Sequence, residues 1–292
     1  MVYSRNFLYI YMQPILLIDG RNIAYRSLFA AHNDLKFTAS KYHPFIVWIK
    51  FIKIWLDRFK PRSIQVFWDI SGPLWRNKIH PEYKGHRDAL LQRHNFDVKA
   101  ALADIESAAK AIIPFINLRQ HHRQGEEADD LIYSACKLLT PQSIIIISSD
   151  SDFTQIPWFM PHVRCFNPNK NIFVKSDVNP IIIKALAGDK ADNIDGYCGI
   201  GKVKSHDMAL DPELLSKFLS ENDNFIFRRN IALIDLSLCP HRIHNDLCVL
   251  KNLSEEIIFD KSAIFEVSKE LKVRGIMSEY GDVISPFKRL SK

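Results

Sequence analysis

The chain has 292 residues, 47% of them hydrophobic, so it can bury a sizeable core in one large or two unequal domains. Its five cysteines are odd in number and lack C-x-x-C spacing, which argues against a disulfide framework and against a zinc knuckle. No apolar run approaches the ~20 residues of a membrane span, and we expect a cytoplasmic protein. The net charge of +6 is typical of proteins that face a phosphate backbone.

The first part of the chain alternates strand-like and helix-like segments. Residues 1–11 lack a small-residue cleavage site, and we expect them to be dispensable rather than a signal peptide. Apolar runs predict strands at residues 14–18, 64–68, 115–118 and 143–148. Apolar residues three and four apart predict helices at residues 21–31, 44–59, 98–113 and 126–139. This alternation predicts an α/β fold, a mostly parallel sheet with helices on both faces.

The stretch at about residues 70–97 interrupts this alternation. It is too long for an ordinary connection, and it mixes basic and aromatic residues with Pro and Gly. Such interleaving suits backbone phosphates with unstacked bases between them. We therefore expect a functional loop or arch that contacts DNA, with Arg76 among its basic residues. A solvated insertion without a binding role is the alternative.

After residue 180 the strand signals largely disappear. Residues 181–187 predict a helix, which a glycine-rich turn at residues 193–201 follows. Glycines let the backbone approach a ligand closely, and amides at a helix N-terminus attract anions. We expect a smaller helical DNA-binding domain at 181–292, whose hairpin at about 181–210 grips phosphates. The residues expected to make these contacts are Gly199, Gly201, Lys202 and Lys204.

Nine carboxylates form five clusters at the boundaries of the predicted elements. They are Asp19; Asp69; Glu127, Asp129 and Asp130; Asp150 and Asp152; and Asp189 and Asp192. Three clusters directly follow predicted strands, and the carboxyl ends of parallel strands meet at one edge of a sheet, where ligands bind. Since like charges repel, so many anions can share a pocket only around cations. An all-oxygen set indicates Mg²⁺ or Mn²⁺ rather than zinc.

Each cluster alone has a simpler explanation. A lone Asp after a strand is most often a turn or cap residue, and acids are common in the first turn of a helix because of its dipole. The coincidence of all five clusters at one expected edge favours a metal site.

At these residues the chain resembles the 5′ nucleases or flap endonucleases, most closely the stand-alone bacteriophage members that remove RNA primers. The resemblance is carried by an ordered set of motifs between residues 16 and 240. They are LLIDG at 16–20, PEYKGHR at 81–87, EADD at 127–130, SSDSDF at 148–153, GDKADNI at 188–194, GIGKVK at 199–204 and RRNIALIDLSLCP at 228–240.

The resemblance implies a PIN-like nuclease domain at residues 1–180 with a helical arch, followed by a smaller helix-hairpin-helix domain. It implies two Mg²⁺ ions, for which Mn²⁺ can substitute, and a K⁺ ion at the hairpin. The ligands of the first Mg²⁺ would be Asp19, Asp69, Asp129 and Asp150, with Glu127 and Asp130 beside it. The ligands of the second would be Asp152, Asp189 and Asp192. Lys84 and Arg87 would clamp the scissile phosphate as catalytic residues, with Tyr83 as a neighbouring DNA contact.

The implied activity is that of a structure-specific 5′-3′ exonuclease and flap endonuclease with RNase H-type activity. It would remove RNA primers and 5′ flaps during phage DNA replication by a two-metal mechanism. The implied partners are DNA and RNA–DNA hybrids with free 5′ ends, flaps or nicks, and replication proteins such as a single-strand-binding protein or a clamp. We expect a monomer that does not associate with membranes.

Two other functions are considered. Residues 150–154 fit the D-x-D-x-T motif of haloacid-dehalogenase-like phosphatases, but that assignment leaves Asp19, Asp69 and residues 127–130 without a role. A DNA-binding paralogue without catalysis would normally have lost a metal carboxylate, and none is lost.

Overall fold

The computed structural model describes residues 13–32, 42–69, 74–86, 96–240, 259–273, 276, 278 and 280–291. The predictions for residues 1–11 and for Arg87 lie outside the described residues, as do residues 70–73 and 88–95 of the expected arch.

The described chain forms one large sheet, one small sheet and ten α-helices. The large sheet holds β1 (Ile15–Asp19), β2 (Ser63–Trp68), β3 (Arg119–His122), β4 (Ile144–Ile147), β5 (Val163–Asn167) and β6 (Ile172–Val174). The helices that accompany it are α1 (Gly20–His32), α2 (His43–Phe59), α3 (Val98–Ile112), α4 (Ala128–Leu138) and α5 (Gln155–Phe159).

The second part of the chain is mainly helical. It contains α6 (Pro180–Ala187), the two-stranded sheet of β7 (Gly188–Asp189) and β8 (Ile194–Asp195), α7 (Lys202–Leu210), α8 (Pro212–Glu221), α9 (Asn224–Ile234) and α10 (Lys261–Glu270). Short 3-10 turns lie at Trp75–Lys78, Ile113–Phe115, Asp152–Thr154, Leu236–Leu238 and Ser285–Ser291, and a π-helix at Tyr280–Ile284. None of the described helices is long and apolar enough to cross a membrane.

The strand order of the large sheet is β3-β2-β1-β4-β5-β6. The first five strands are parallel, and only β6 is antiparallel to its neighbour. The chain therefore runs outward from β1 to β3 and then returns to place β4 on the other side of β1. In sheets of this kind, ligands bind where the order reverses, at the carboxyl ends of the strands. Here that point lies between β1 and β4.

Helices cover both faces of this sheet. Leu16 and Ile18 of β1 pack in one core with α1, α2 and α3, whereas Ile15 and Leu17 pack in a second core with α4 and α5. All residues of β1 and β4 are buried, as expected for parallel strands covered on both sides. The predicted α/β fold with a mostly parallel sheet is confirmed.

The helical part is described as far as Pro240 and continues from Phe259. The later segment returns to the large sheet, because Ile264, Ile276 and Phe287 pack in the core formed by α1, α2 and α3. Within the 180–240 segment, Leu186 packs in a separate small core with residues of α7 and α8, whereas Leu236 and Cys239 pack in the second core of the large sheet.

The strand predicted at residues 115–118 is wrong. The chain forms a 3-10 turn at Ile113–Phe115, and the strand follows at Arg119–His122. Pro114 ends the helix, and the apolar side chains of Ile116 and Leu118 enter the core from a turn. Strand β3 lies at the sheet edge, so its polar residues Arg, Gln, His and His carry no apolar signal.

We predict a loss of stability in acid caused by His121 of β3. Its Nε2 lies 2.7 Å from Gln65 Oε1, and burial, with the charges of Arg119 and His122, lowers its pKa to about 4. The unfolded chain binds this proton near pH 6.5 but the native state does not, so stability falls as the pH drops from about 6.5 to about 4. At about 1.4 kcal/mol per pKa unit the loss is up to about 3 kcal/mol.

Urea unfolding of the wild type and of His121→Gln at pH 7.5 and pH 4.5 measures this loss. The variant should lose less stability between the two pH values than the wild type. Equal losses would show that other groups cause the acid sensitivity.

Candidate metal centre and nucleic-acid interface

Three carboxylates meet where the strand order of the large sheet reverses. Asp19 is the last residue of β1, Asp69 directly follows β2, and Asp150 lies shortly after β4. Since β1 pairs with both β2 and β4, these positions are neighbours. Asp19 is only 9% exposed, and its burial, together with the charges of Asp69 and Asp150, raises its pKa to about 7.

A second group of carboxylates opens α4. Glu127, Asp129 and Asp130 each offer one carboxylate oxygen, and these atoms lie within 4.8 Å of one another. Asp69 Oδ1 accepts a hydrogen bond of 2.8 Å from the amide of Ala128, which joins this group to the end of β2. Burial, and then the charges of Glu127 and Asp130, raise the pKa of Asp129 well above its usual range.

A third group contains Asp152, Asp189 and Asp192, whose oxygens also lie within 4.8 Å of one another. Asp152 stands in the 3-10 turn after β4, whereas the other two belong to the β7–β8 hairpin. The Asp150 residue keeps an exposed surface, but desolvation by the surrounding protein atoms raises the pKa of its carboxyl. The positive charge of Lys184 opposes this rise, and the negative charge of Asp192 adds to it. Asp150 is thus electrostatically coupled to the third group.

Lys84 lies between the second and third groups. Its Nζ donates to Glu127 Oε1 and lies 3.7 Å from Asp192 Oδ2. Its backbone, in the left-handed region at φ 59°, donates from N to the Asp192 carbonyl at 2.9 Å. Lys84 therefore lies among the carboxylates, and its expected contact with a scissile phosphate stays a prediction.

Tyr83 is buried rather than presented to a ligand. Its side chain is 4% exposed, and its hydroxyl lies 3.2 Å from both Glu127 Oε2 and Asp192 Oδ2. The ring packs with Ile181, Ile194 and Leu233. Tyr83 therefore holds the turn that carries Lys84 against the acidic centre, and in this arrangement it does not offer a face to DNA.

Arg76, which was expected to contact DNA, lies in the protein interior. Its side chain is 1% exposed, and its guanidinium donates to Glu127, Asp130 and the Leu233 carbonyl. Interleaving of basic and aromatic residues predicted a surface contact, but the positive charge of Arg76 faces the buried acids instead.

Lys184 belongs to the centre and was not predicted. Its Nζ donates to Asp189 Oδ2 at 2.6 Å and to Asp152. The only signal in the sequence is a single cation in the otherwise apolar α6, five positions before Asp189. Ser148, whose Oγ donates to Asp19 Oδ2 at 2.9 Å, was also missed.

The glycine-rich hairpin, residues 193–201, directly follows Asp192 of the third group of carboxylates. Gly199 has a φ of 73°, and Gly201 directly precedes α7. A side chain at either glycine would meet no atom within 4 Å, so their backbone is open to an approaching ligand. Lys202 and Lys204, in the first turn of α7, are exposed beside them.

Residues 14–182 match the family model described as "5′-3′ exonuclease, N-terminal resolvase-like domain". The chain is 26% identical over 276 residues to a 5′-3′ exonuclease of Mycoplasmopsis pulmonis, covering 84% of this chain and 89% of that protein. It is 28% identical over 295 residues to DNA polymerase I of Borreliella burgdorferi, covering 89% of this chain but only 31% of the polymerase.

Among solved structures, the chain is similar to the flap endonuclease of bacteriophage T5 in a complex with DNA and metal ions. The TM-score is 0.61 at 20% identity, covering 89% of this chain and 98% of that one. At this identity the likeness concerns the fold.

A mostly parallel sheet with acidic groups at its carboxyl edge, together with a family match over more than half of the chain, defines a nuclease of the PIN-like type. The chain belongs to the 5′-3′ exonuclease family. The predicted family is confirmed, and the phosphatase alternative is wrong.

We predict that the hairpin tolerates alanine at Gly201 but not at Gly196. A methyl group at Gly196 would run into the backbone of Ala187 and Gly188, whereas at Gly201 it would meet open space at a φ of −101°. Gly196→Ala should therefore cost about 1–3 kcal/mol of unfolding free energy in urea, as overpacking does, and Gly201→Ala much less. Equal stability of the two variants would contradict this packing.

Proposed function

We propose that this chain is a Mg²⁺-dependent, structure-specific 5′-3′ exonuclease and flap endonuclease with RNase H-type activity. Its substrates would be DNA and RNA–DNA hybrids with free 5′ ends, flaps or nicks, including the RNA primers of phage replication. The observation that carries the proposal is the convergence of three groups of carboxylates at the reversal of the strand order, with Lys84 between two of them.

The carboxylates fit divalent cations. Their donor atoms are all oxygen, which Mg²⁺ and Mn²⁺ prefer. Burial, and then the neighbouring carboxylates, raise the pKa values of Asp19 and Asp129, so their charged forms are unfavourable without a nearby cation. Divalent ions held by these carboxylates would offset the charge and would supply Lewis-acid stabilisation to a phosphodiester.

The two ends of the acidic centre would hold one ion each. The ligands proposed for the first are Asp19, Asp69, Asp129 and Asp150, with Glu127 beside it; those for the second are Asp152, Asp189 and Asp192. Lys184, which donates to Asp152 and Asp189, would hold these two carboxylates close together.

Lys84 would contact the scissile phosphate. Its side chain is 15% exposed and its Nζ lies between Glu127 and Asp192, so it can donate to a phosphate oxygen at the mouth of the centre. A charge-assisted hydrogen bond there would stabilise the negative charge that grows on the phosphate in the transition state. Arg87 is proposed as its companion in this role.

The hairpin would bind the duplex beside the cut. Its exposed Lys202 and Lys204 suit backbone phosphates, and its open glycines suit close approach of the strand. A K⁺ ion at this hairpin, a monomeric state, a cytoplasmic location and contacts with a single-strand-binding protein or clamp complete the proposal.

We predict that Asp129→Asn and Asp150→Asn each lower single-turnover cleavage of a 5′-labelled flap by at least about 100-fold, because each variant removes a proposed metal ligand. DNA affinity should persist or increase, since a negative charge beside the phosphate is lost. Asp104→Asn on α3 is the matched control. Near-normal cleavage by both site variants would rule out the two-metal assignment, and chelator should abolish wild-type cleavage.

We also predict that Lys202→Ala with Lys204→Ala weakens binding to nicked and flap duplexes. The dependence of log Kd on log salt should flatten by up to about two units, roughly one per lost phosphate contact. Lys170→Ala with Lys175→Ala, two exposed lysines near β6, controls for net charge. If both pairs change the salt slope equally, the hairpin is not the duplex-binding surface.

A further inference from the structure

A buried ion pair lies directly behind the acidic centre. Arg76 Nη2 donates to Asp130 Oδ1 at 2.8 Å, and Arg76 Nη1 donates to Asp130 Oδ2 at 2.8 Å. Trp75 Nε1 donates to the same Oδ2 at 2.9 Å. Asp130 is fully buried, so both of its carboxylate oxygens are engaged by the protein and turned toward the guanidinium.

The same guanidinium also holds Glu127. Arg76 Nη1 donates to Glu127 Oε2 at 2.6 Å, while Glu127 Oε1 accepts from Lys84. Each oxygen of Glu127 thus has its own cation, which fixes the plane of the carboxylate. The planar fork of Arg76 matches two carboxylates at once, and a lysine could not replace that geometry.

Arg76 further connects the centre to the helical part of the chain. Its Nε donates to the Leu233 carbonyl of α9 at 2.8 Å. On the same helix, Asn230 Nδ2 donates to the carbonyls of Ala185 in α6 and Asp195 in β8. The guanidinium therefore lies where the Trp75–Lys78 turn, α4 and α9 meet.

A buried ion pair is weak evidence for a contribution to stability, because desolvation of both charges offsets much of their attraction. Its geometry is better suited to fixing the orientation of a neighbouring group.

We propose that Arg76 and Asp130 are positioning residues: Asp130 is not a metal ligand but the counter-ion that orients Arg76, and Arg76 in turn presents Glu127 to the metal centre. This inference rests on the proposed metal-dependent function. The proposal gives different roles to two adjacent acids: Asp129 would be a metal ligand, and Asp130 would orient Arg76.

Binding of Mn²⁺ to the free protein, followed by electron paramagnetic resonance, tests the role of Asp130. Asp130→Asn should bind Mn²⁺ with nearly wild-type stoichiometry and affinity, whereas Asp129→Asn should lose at least about tenfold in affinity at one site. An equal loss in both variants would make Asp130 a ligand and overturn the proposal. A wild type that binds no Mn²⁺ would instead refute the proposed function itself.

The double variant Arg76→Met with Asp130→Leu tests positioning against a purely structural role. Replacing a buried ion pair by apolar groups of similar volume often leaves stability unchanged. Here the variant also leaves Trp75 Nε1, the Leu233 carbonyl and one oxygen of Glu127 without this partner, so its melting temperature should fall. At a temperature where it is fully folded it should bind DNA as well as the wild type, yet cleave flaps at least about tenfold more slowly in single turnover, as loss of a supporting contact does. Wild-type cleavage by the folded variant would overturn the proposal.

If the double variant does not fold, Arg76→Lys tests whether the guanidinium of Arg76 positions Glu127. It keeps the charge but lacks the fork, so cleavage should again fall about tenfold or more while the melting temperature changes little. Arg164→Lys, at an exposed position on β5, is the matched control. Normal cleavage by a stable Arg76→Lys would show that charge alone suffices and that Arg76 does not position Glu127.

Discussion

Repulsion between carboxylates at one edge of the sheet is the constraint on which the rest of this structure depends. The strand order places Asp19 and Asp69 on neighbouring strands, and α4 and the β7–β8 hairpin add further acids from two sides. Burial makes the repulsion costly, as the pKa of about 7 at Asp19 shows. A chain that keeps this arrangement gains from it only if cations enter the pocket.

The cations supplied by the protein itself approach the acids from three different elements. Arg76 belongs to the Trp75–Lys78 turn and its guanidinium is buried, Lys84 belongs to the turn that follows, and Lys184 belongs to α6. The N-terminus of α4 adds a favourable dipole at Glu127 and the residues after it. Each of these elements also packs on a neighbour, so the electrostatics of the centre and the packing of the helical part are linked.

Local patterns explain which parts of the centre could be predicted. Apolar runs identified β1, β2 and β4, and parallel topology then placed Asp19, Asp69 and Asp150 together. The edge strand β3 was displaced in the prediction because its polar residues carry no periodic signal. Arg76 and Lys184 are single cations, and no local pattern shows whether a cation faces solvent or a buried acid distant in sequence.

The central claim is that the acids converge to bind two divalent cations. Anomalous diffraction at the manganese edge, from crystals grown with Mn²⁺, tests it most directly. Two strong peaks are expected, one among Asp19, Asp69, Asp129 and Asp150 and one among Asp152, Asp189 and Asp192. Crystals that diffract well in saturating Mn²⁺ but show no anomalous peak among these carboxylates would contradict it.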